Sequence, residues 1–564
     1  MAEHELVVRG GTVVDGTGAP ARTADVAVSD GVITAVGQVD GRGERELDAD
    51  GLVVAPGWVD IHTHYDGQVS WDPDMTPSSW HGVTTIVMGN CGVGFAPVRP
   101  DGRDFLVELM EGVEDIPGTA LHEGITWEWE TFPEYLDAVD RTPRVMDVAA
   151  QVPHCAVRAY VMGERAHEEP SADEIVEIAR IVQEGIEAGA VGFTTSRTIL
   201  HNSKHGLVPG THAANDEVMA IADAVGRAGK GVFALISDKQ GNGDEADWLR
   251  EIHNASGRPV TYTLAQAGYA PEAYLAALDA AAADHAAGIP IYPQVSTRPT
   301  GMLFGLQSSL HPFTTHPTYR AIADLPLAER VARLRDPEVR TALVTEEPQT
   351  RNRIAVGLMS RWDQIFPLGA DPDYEPAPST SVAAVAAAAG RSPQEVVLDW
   401  LLERDGEALL FAPLASYADF NHDAIRTMMS HPATVLGLSD GGAHCGLICD
   451  ASMTTYVLSH WVNGRTRGER LGLEQAVSLQ TSRTANLYGL TDRGVLAAGK
   501  RADLNLIDLD GLRLHAPEMV FDLPAAGRRL VQHVDGYVAT VVKGQVTFEH
   551  GRPTGARPGR LVRS

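Results

Sequence analysis

The chain holds a few residues whose type and setting could do chemistry on a metal ion. His62, Thr63 and His64 come first, in APGWVDIHTHYD. In a strand, residues i and i+2 share a face, so both imidazoles can reach one ion. With 21 histidines in 564 residues, about one such H-x-H pair arises by chance, so the pair counts only through its place at the exit of an apolar strand. Cys91 follows in HGVTTIVMGNCGVGFAP. As a thiolate it would ligate zinc well, although a lone cysteine is more commonly a small buried hydrophobe. Asp440, in ATVLGLSDGGAHCG, could bind metal and take a proton from an activated water, or simply cap a turn. Each has a bland structural alternative, and their joint force depends on the elements that carry them.

Those elements alternate. Strand-like runs lie at 57–63, 83–89, 144–152, 190–196, 231–237, 259–265, 289–295 and 433–439. Helices with good start signals intervene. Ser171 and Glu174 predict a capping box before a helix whose Ile175, Ile178, Val182 and Ile186 share a face, and Asn215 is expected to start another that ends at Gly229. Eight near-continuous apolar strands with helices between them predict an α/β fold, a (β/α)8 barrel over 57–495. Strands seven and eight are separated by an insertion at about 296–432, expected as a lid or subdomain over the strand C-terminal ends. Residues 1–56 and 496–550 are β-rich and turn-rich, which predicts one β-sandwich built from both termini. Residues 551–564, with Arg552, Arg557, Arg560 and Arg563, read as a loose basic tail. His62, His64, Cys91 and Asp440 then all fall on the catalytic rim of one barrel.

Composition narrows the class. There are 45 Lys+Arg against 75 Asp+Glu, a net charge of −30, which argues against nucleic acid and anionic membrane as partners. The 44% apolar and 21% charged content is that of a folded globular protein. Four cysteines (Cys91, Cys155, Cys445, Cys449) are too few and scattered for a disulfide scaffold. With no signal-peptide pattern and no apolar run of transmembrane length, the expectation is a cytoplasmic protein, with a homo-oligomer compatible. Only five lysines occur: Lys204, Lys230, Lys239, Lys500 and Lys543.

PGWVDIHTHYDGQ and TSRTANLYGLTDRGVLAAGKRADLNLID resemble the amidohydrolase superfamily, and HGVTTIVMGNCGVGFAP with GLSDGGAH resembles its D-aminoacylase (N-acyl-D-amino-acid deacylase) branch. The resemblance runs through nearly the whole chain and is weakest in the insertion. It implies amide hydrolysis by a zinc-activated water. By position, His62, His64, Cys91 and Asp440 match the family's ligands for one metal, with Asp440 also the general acid/base. His154 and Arg158 match its third-strand His and Arg, and His444 its His after the Asp. His154 or His444 would stabilise the oxyanion.

Two departures shape the expectation. The family's second-metal histidines on strands five and six fall on Leu235 and Leu264, and strand four, AVGFTTSR, offers no lysine to be carboxylated. One Zn2+ per chain is the economical reading. The family also places a carboxylate-binding Arg after the eighth-strand Asp, yet residues 439–461 contain no Arg or Lys. Arg197 and Arg298, at the rims of strands four and seven, could supply a bidentate clamp instead, with surface salt bridges as the plainer alternative. Tyr292 and Ser296 are candidate hydrogen-bond donors in the pocket. His201, His205 and His212 read as solvated loop residues. The substrate is expected to be a small amide, first an N-acyl-D-amino acid. Another amide, cyclic amide or ester is the second reading, and a barrel that binds without catalysis is the third.

Overall fold

The computed structural model describes residues 2–350 and 353–564. Its central sheet has eight strands in sequential order, all paired in parallel. They are β1 (Trp58–Asp60), β2 (Val83–Met88), β3 (Asp147–Pro153), β4 (Gly192–Arg197), β5 (Val232–Ser237), β6 (Val260–Thr263), β7 (Ile291–Val295) and β8 (Val435–Leu436). β2 and β3 are buried along their whole length, as strands covered on both faces must be. The eighth strand was expected over 433–439 and forms only at Val435–Leu436. Beyond it Leu438 and Asp440 take left-handed φ values of 65° and 49°, which ends regular pairing. Closure of β8 onto β1 falls to single contacts: His64 N donates to Gly441 O at 2.8 Å and Asp440 N to His62 O at 3.1 Å. The barrel is thus closed by the backbone of the residues expected to bind metal.

One buried cluster, Val59, Val87, Ala149, Val191, Val232 and Val435 with Leu487, Tyr488 and Leu490, packs the barrel against the segment before the C-terminal strands. Outside, Ser171 and Glu174 form the expected capping box for the helix Ala172–Glu187. The next helix, Asn215–Ala228, starts at Asn215 and ends at a left-handed Gly229 as expected, with Ala214 at its N-cap and the Asn215 side chain accepting the Trp248 indole N–H at 2.7 Å.

After β7 the chain builds an antiparallel three-stranded sheet (Gly301–Phe304, Leu409–Pro413, Phe366–Leu368). Helices around it share a separate core that includes Phe304, Phe313, Leu334, Val397 and Leu401. Residues 351 and 352 of this stretch lie outside the described residues. The segment is tied to the loop after β8 by Leu303 N to Leu447 O, 2.7 Å, and Ser309 N to Gly446 O, 2.9 Å.

Both termini meet in one nine-stranded mixed sheet. Leu504–Ile507 pairs antiparallel with Val53–Pro56, joining the two ends of the chain. The last residues correct the expectation of a loose tail. Val562 N donates to Val148 O at 2.7 Å, Leu561 is buried, and Arg563 pairs with Asp137 at 2.6 Å. One apolar side chain and two backbone bonds to β3 anchor what charge alone would leave solvated. Among the described residues, no helix is long and apolar enough to cross a membrane.

Candidate metal centre

His62 and His64 leave the end of β1 and Cys91 the end of β2. The ligand atoms of these three buried residues lie within 4.8 Å of one another. His62 Nε2 is 3.3 Å from Cys91 Sγ, and Asp440 Oδ1 stands 3.5 Å from His62 Nε2 and 3.7 Å from His64 Nε2. Cys91 owes its position to a tight turn. It adopts φ 57° between Gly89 (φ 82°) and Gly92 (φ 72°), and a Cβ on either glycine would collide with backbone of β3 or β4. Thr194 of β4 clamps the turn, donating to Gly89 O at 2.5 Å and accepting from Gly92 N at 3.0 Å. Behind it, Asn90 is held by Gln151 at 2.9 Å, which accepts from Tyr488 at 3.1 Å. Cys91, Asp440 and His444 are non-glycine residues at positive φ, strain of the kind that accumulates at functional sites.

The outer nitrogens are also accounted for. His62 Nδ1 faces Gln294 Oε1 of β7 at 3.0 Å, which leaves Nε2 with its lone pair toward Cys91 and Asp440. His64 Nδ1 stands 3.4 Å from Glu114 Oε1. Burial holds the Cys91 thiol up at about 11, against the nearby His64, and burial draws His62 down to about 4. Burial would raise the Asp440 carboxyl, but the hydrogen bond from His64 and the His62 and His64 charges hold it well below the usual range. Two imidazole nitrogens, one sulfur and one carboxylate oxygen fit a tetrahedral divalent ion of the zinc type. Beside Asp440, a cavity of about 20 Å³ has room for about one water.

The other expected site residues fall in several places. His444 follows Asp440 in a left-handed turn, its Nε2 3.4 Å from Glu114 Oε2. His154 and Arg158 face a different carboxylate. His154 Nδ1 and Nε2 meet Thr195 at 2.8 Å and Glu217 at 3.0 Å, and Arg158 pairs with Glu217 at 2.5 Å. Both His154 nitrogens are taken, so in this arrangement it offers no free donor to an oxyanion. Arg298 is not an open clamp. It is 1% exposed, pairs with Asp450 at 3.1 Å, donates to Cys449 O at 2.6 Å and lies over the Tyr374 ring at 3.8 Å. Tyr292 is likewise displaced from the pocket. It lies two residues below Gln294 on β7, packed with the barrel-base cluster and against His285. Ser296 is buried just past β7. Arg197 lines a separate cavity of about 450 Å³ with His212, Lys239 and Trp248. Leu235 and Leu264, where second-metal histidines would stand, are buried in the apolar core.

Three residues near the centre escaped the sequence reading. Gln294 and Glu114 carry no motif, and only their packing against His62 and His64 identifies them. His201, read as a solvated loop residue, has Nδ1 on Ser196 Oγ at 3.0 Å. Burial first, then the nearby His444 and His64 charges, draw it down to about 3.

Comparison with known proteins places the fold and the family. An amidohydrolase family model matches residues 45–548. The chain is 27% identical to a D-aminoacylase of Alcaligenes xylosoxydans xylosoxydans over 566 residues, covering 99% of this chain and 97% of that one. Among solved structures it resembles a D-aminoacylase described by a binuclear centre with one-metal activation and second-metal attenuation (TM-score 0.67, 24% identity, all of both chains). It also resembles an N-acyl-D-glutamate deacylase of Bordetella bronchiseptica complexed with zinc and a phosphonate inhibitor (TM-score 0.64, 24% identity, all of both chains). The chain belongs to the amidohydrolase family.

Proposed function

We propose that this metal-dependent amidohydrolase is an N-acyl-D-amino-acid deacylase working with a single Zn2+ held by His62, His64, Cys91 and Asp440. The observation that carries the reading is the convergence of these four side chains on the barrel rim, while Leu235 and Leu264, where the resemblance puts a second site's histidines, are buried in the apolar core. When bound, the ion supplies a Lewis acid that activates water and polarises a carbonyl. Asp440, whose Oδ1 stands 3.5 and 3.7 Å from the two imidazoles, accepts the proton of the attacking water and returns it to the leaving nitrogen. His444, partly exposed beside it, donates to the developing oxyanion. His154 serves one step back, holding Glu217 and Arg158 in register with β4.

A second reading has its own support. Asp450 already neutralises Arg298, and no Arg or Lys occurs at 439–461, so an uncharged amide, cyclic amide or ester also fits. A panel of N-acetyl-D- and L-amino acids set against cyclic amides and esters decides between them. Turnover confined to uncharged substrates removes the deacylase reading. About two metal ions per chain in the purified protein removes the single-ion reading.

A further inference from the structure

Glu114 ends the helix Arg103–Glu114 that follows β2. Its carboxylate is wholly buried, and neither oxygen has a hydrogen-bond partner among the described residues. Its nearest polar neighbours are two imidazoles. Oε1 stands 3.4 Å from His64 Nδ1, and Oε2 stands 3.4 Å from His444 Nε2. His64 Nδ1 has no other partner either. A buried carboxylate in such surroundings is strongly disfavoured unless positive or N–H groups compensate it, and among the described residues these two rings are the groups paired with it.

A role in merely holding the loop does not require this carboxylate. The loop after β8 is already tied down by the neighbouring backbone and by Asp115. His444 N donates to Glu114 O. Asp115 Oδ2 accepts from Gly446 N at 3.1 Å, and its two oxygens accept from Ser309 Oγ at 2.8 and 2.7 Å. The outer partners of the two histidine ligands also differ in kind: His62 meets the neutral amide of Gln294, His64 a carboxylate. A carboxylate accepting from the outer N–H of a ligating imidazole fixes its tautomer and makes its inner nitrogen a stronger donor.

We infer that Glu114 is a positioning carboxylate shared by two histidines, holding His64 with Nε2 toward the metal and His444 with its ring against the reacting centre. The inference rests on the single-ion reading of the site. Glu114 touches neither ion nor substrate and acts through both rings, so its loss affects metal retention and turnover together. Loss of Asp115 affects the loop alone.

The test compares zinc affinity, by competition with a chromophoric chelator, in the wild type, Glu114→Gln, Glu114→Asp and Asp115→Asn, with the visible spectrum of each cobalt-loaded protein. Glu114→Gln should lose about 10–100-fold in zinc affinity and shift the cobalt bands. Glu114→Asp should recover part of both, and Asp115→Asn should bind zinc as the wild type does. Zinc affinity in Glu114→Gln within twofold of wild type, with unchanged cobalt bands, overturns the inference. Should the glutamine variant not fold, the aspartate variant and the wild type decide. A downfield, exchange-protected imidazole N–H proton in the zinc-loaded wild type, shifted in Glu114→Asp, supports the pairing, and its absence refutes it. A wild type that binds no zinc defeats the metal-centre reading itself, an outcome distinct from equal binding in both proteins.

Discussion

Among the described residues, two groups of side chains have metal-like spacing, and they are built to opposite ends. His62, His64 and Cys91 form one, and Glu375, His422 and His460 the other. In the first, the outer nitrogen of each histidine faces Gln294 or Glu114, the inner atoms converge with Asp440, and among the described residues no Lys or Arg pairs with Asp440. In the second, the cation is already present. Arg465 forks Glu375 at 3.0 and 3.2 Å, and His460 adds a contact at 3.2 Å. Burial would raise the Glu375 carboxyl, but His460 and Arg465 hold it well below the usual range. Spacing alone does not make a metal site. The first group presents its carboxylate with no guanidinium against it among the described residues, and the second is neutralised by Arg465, which pins the segment after β7 to the chain beyond β8.

Removing ligands breaks the comparison most directly. His64→Ala and Asp440→Ala should lose detectable activity and most bound metal while circular dichroism and the melting transition persist. Retained activity in either refutes the assignment. Next comes Arg465→Met, which strands a buried carboxylate and should cost about 3–5 kcal/mol in urea unfolding without lowering metal content. A drop in metal content would make the second group a metal site after all. Gln294→Leu should weaken metal binding by about 10–100-fold, measured by chelator competition, with little change in stability.

The smallest effect is a pH slope. Burial above all holds His422 down to about 3, despite Glu375 beside it, so the folded state keeps it neutral where the unfolded chain protonates it. Its contribution to stability is full above about pH 6.5 and declines as pH falls through 6.5 toward 3, by at most about 1.4 kcal/mol per unit. His422→Gln should flatten that part of the dependence between pH 7.5 and 5 in urea midpoints. An unchanged slope would mean the ring is already charged in the fold.

Barrel, terminal sheet and the meeting of His62, His64, Cys91 and Asp440 at the barrel rim were legible in the sequence for local reasons. Strand parity puts His62 and His64 on one face, glycines on both sides of Cys91 mark a left-handed turn, and Ser171–Glu174 writes its cap within four residues. Pairings that cross the chain were not legible. Arg298 meets Asp450 and the Tyr374 ring, which turns an apparent substrate clamp into a buried pair. Tyr292 lies a layer too low, because one strand carries side chains both at the rim and at the barrel base.

The sequence by itself determined the architecture and pointed to the residues that converge on the barrel rim, because hydrophobic period, turn chemistry and strand-end position act over a few residues. Tertiary structure alone decided what stands behind each ligand. Gln294 is 232 residues from His62, and Glu114 sits on a helix end with no motif. The choice between a metal and a guanidinium to balance a buried carboxylate was decided there too. Such charge balance is a property of the whole three-dimensional environment, since a buried ionised group must be compensated by whatever the fold brings within a few ångströms.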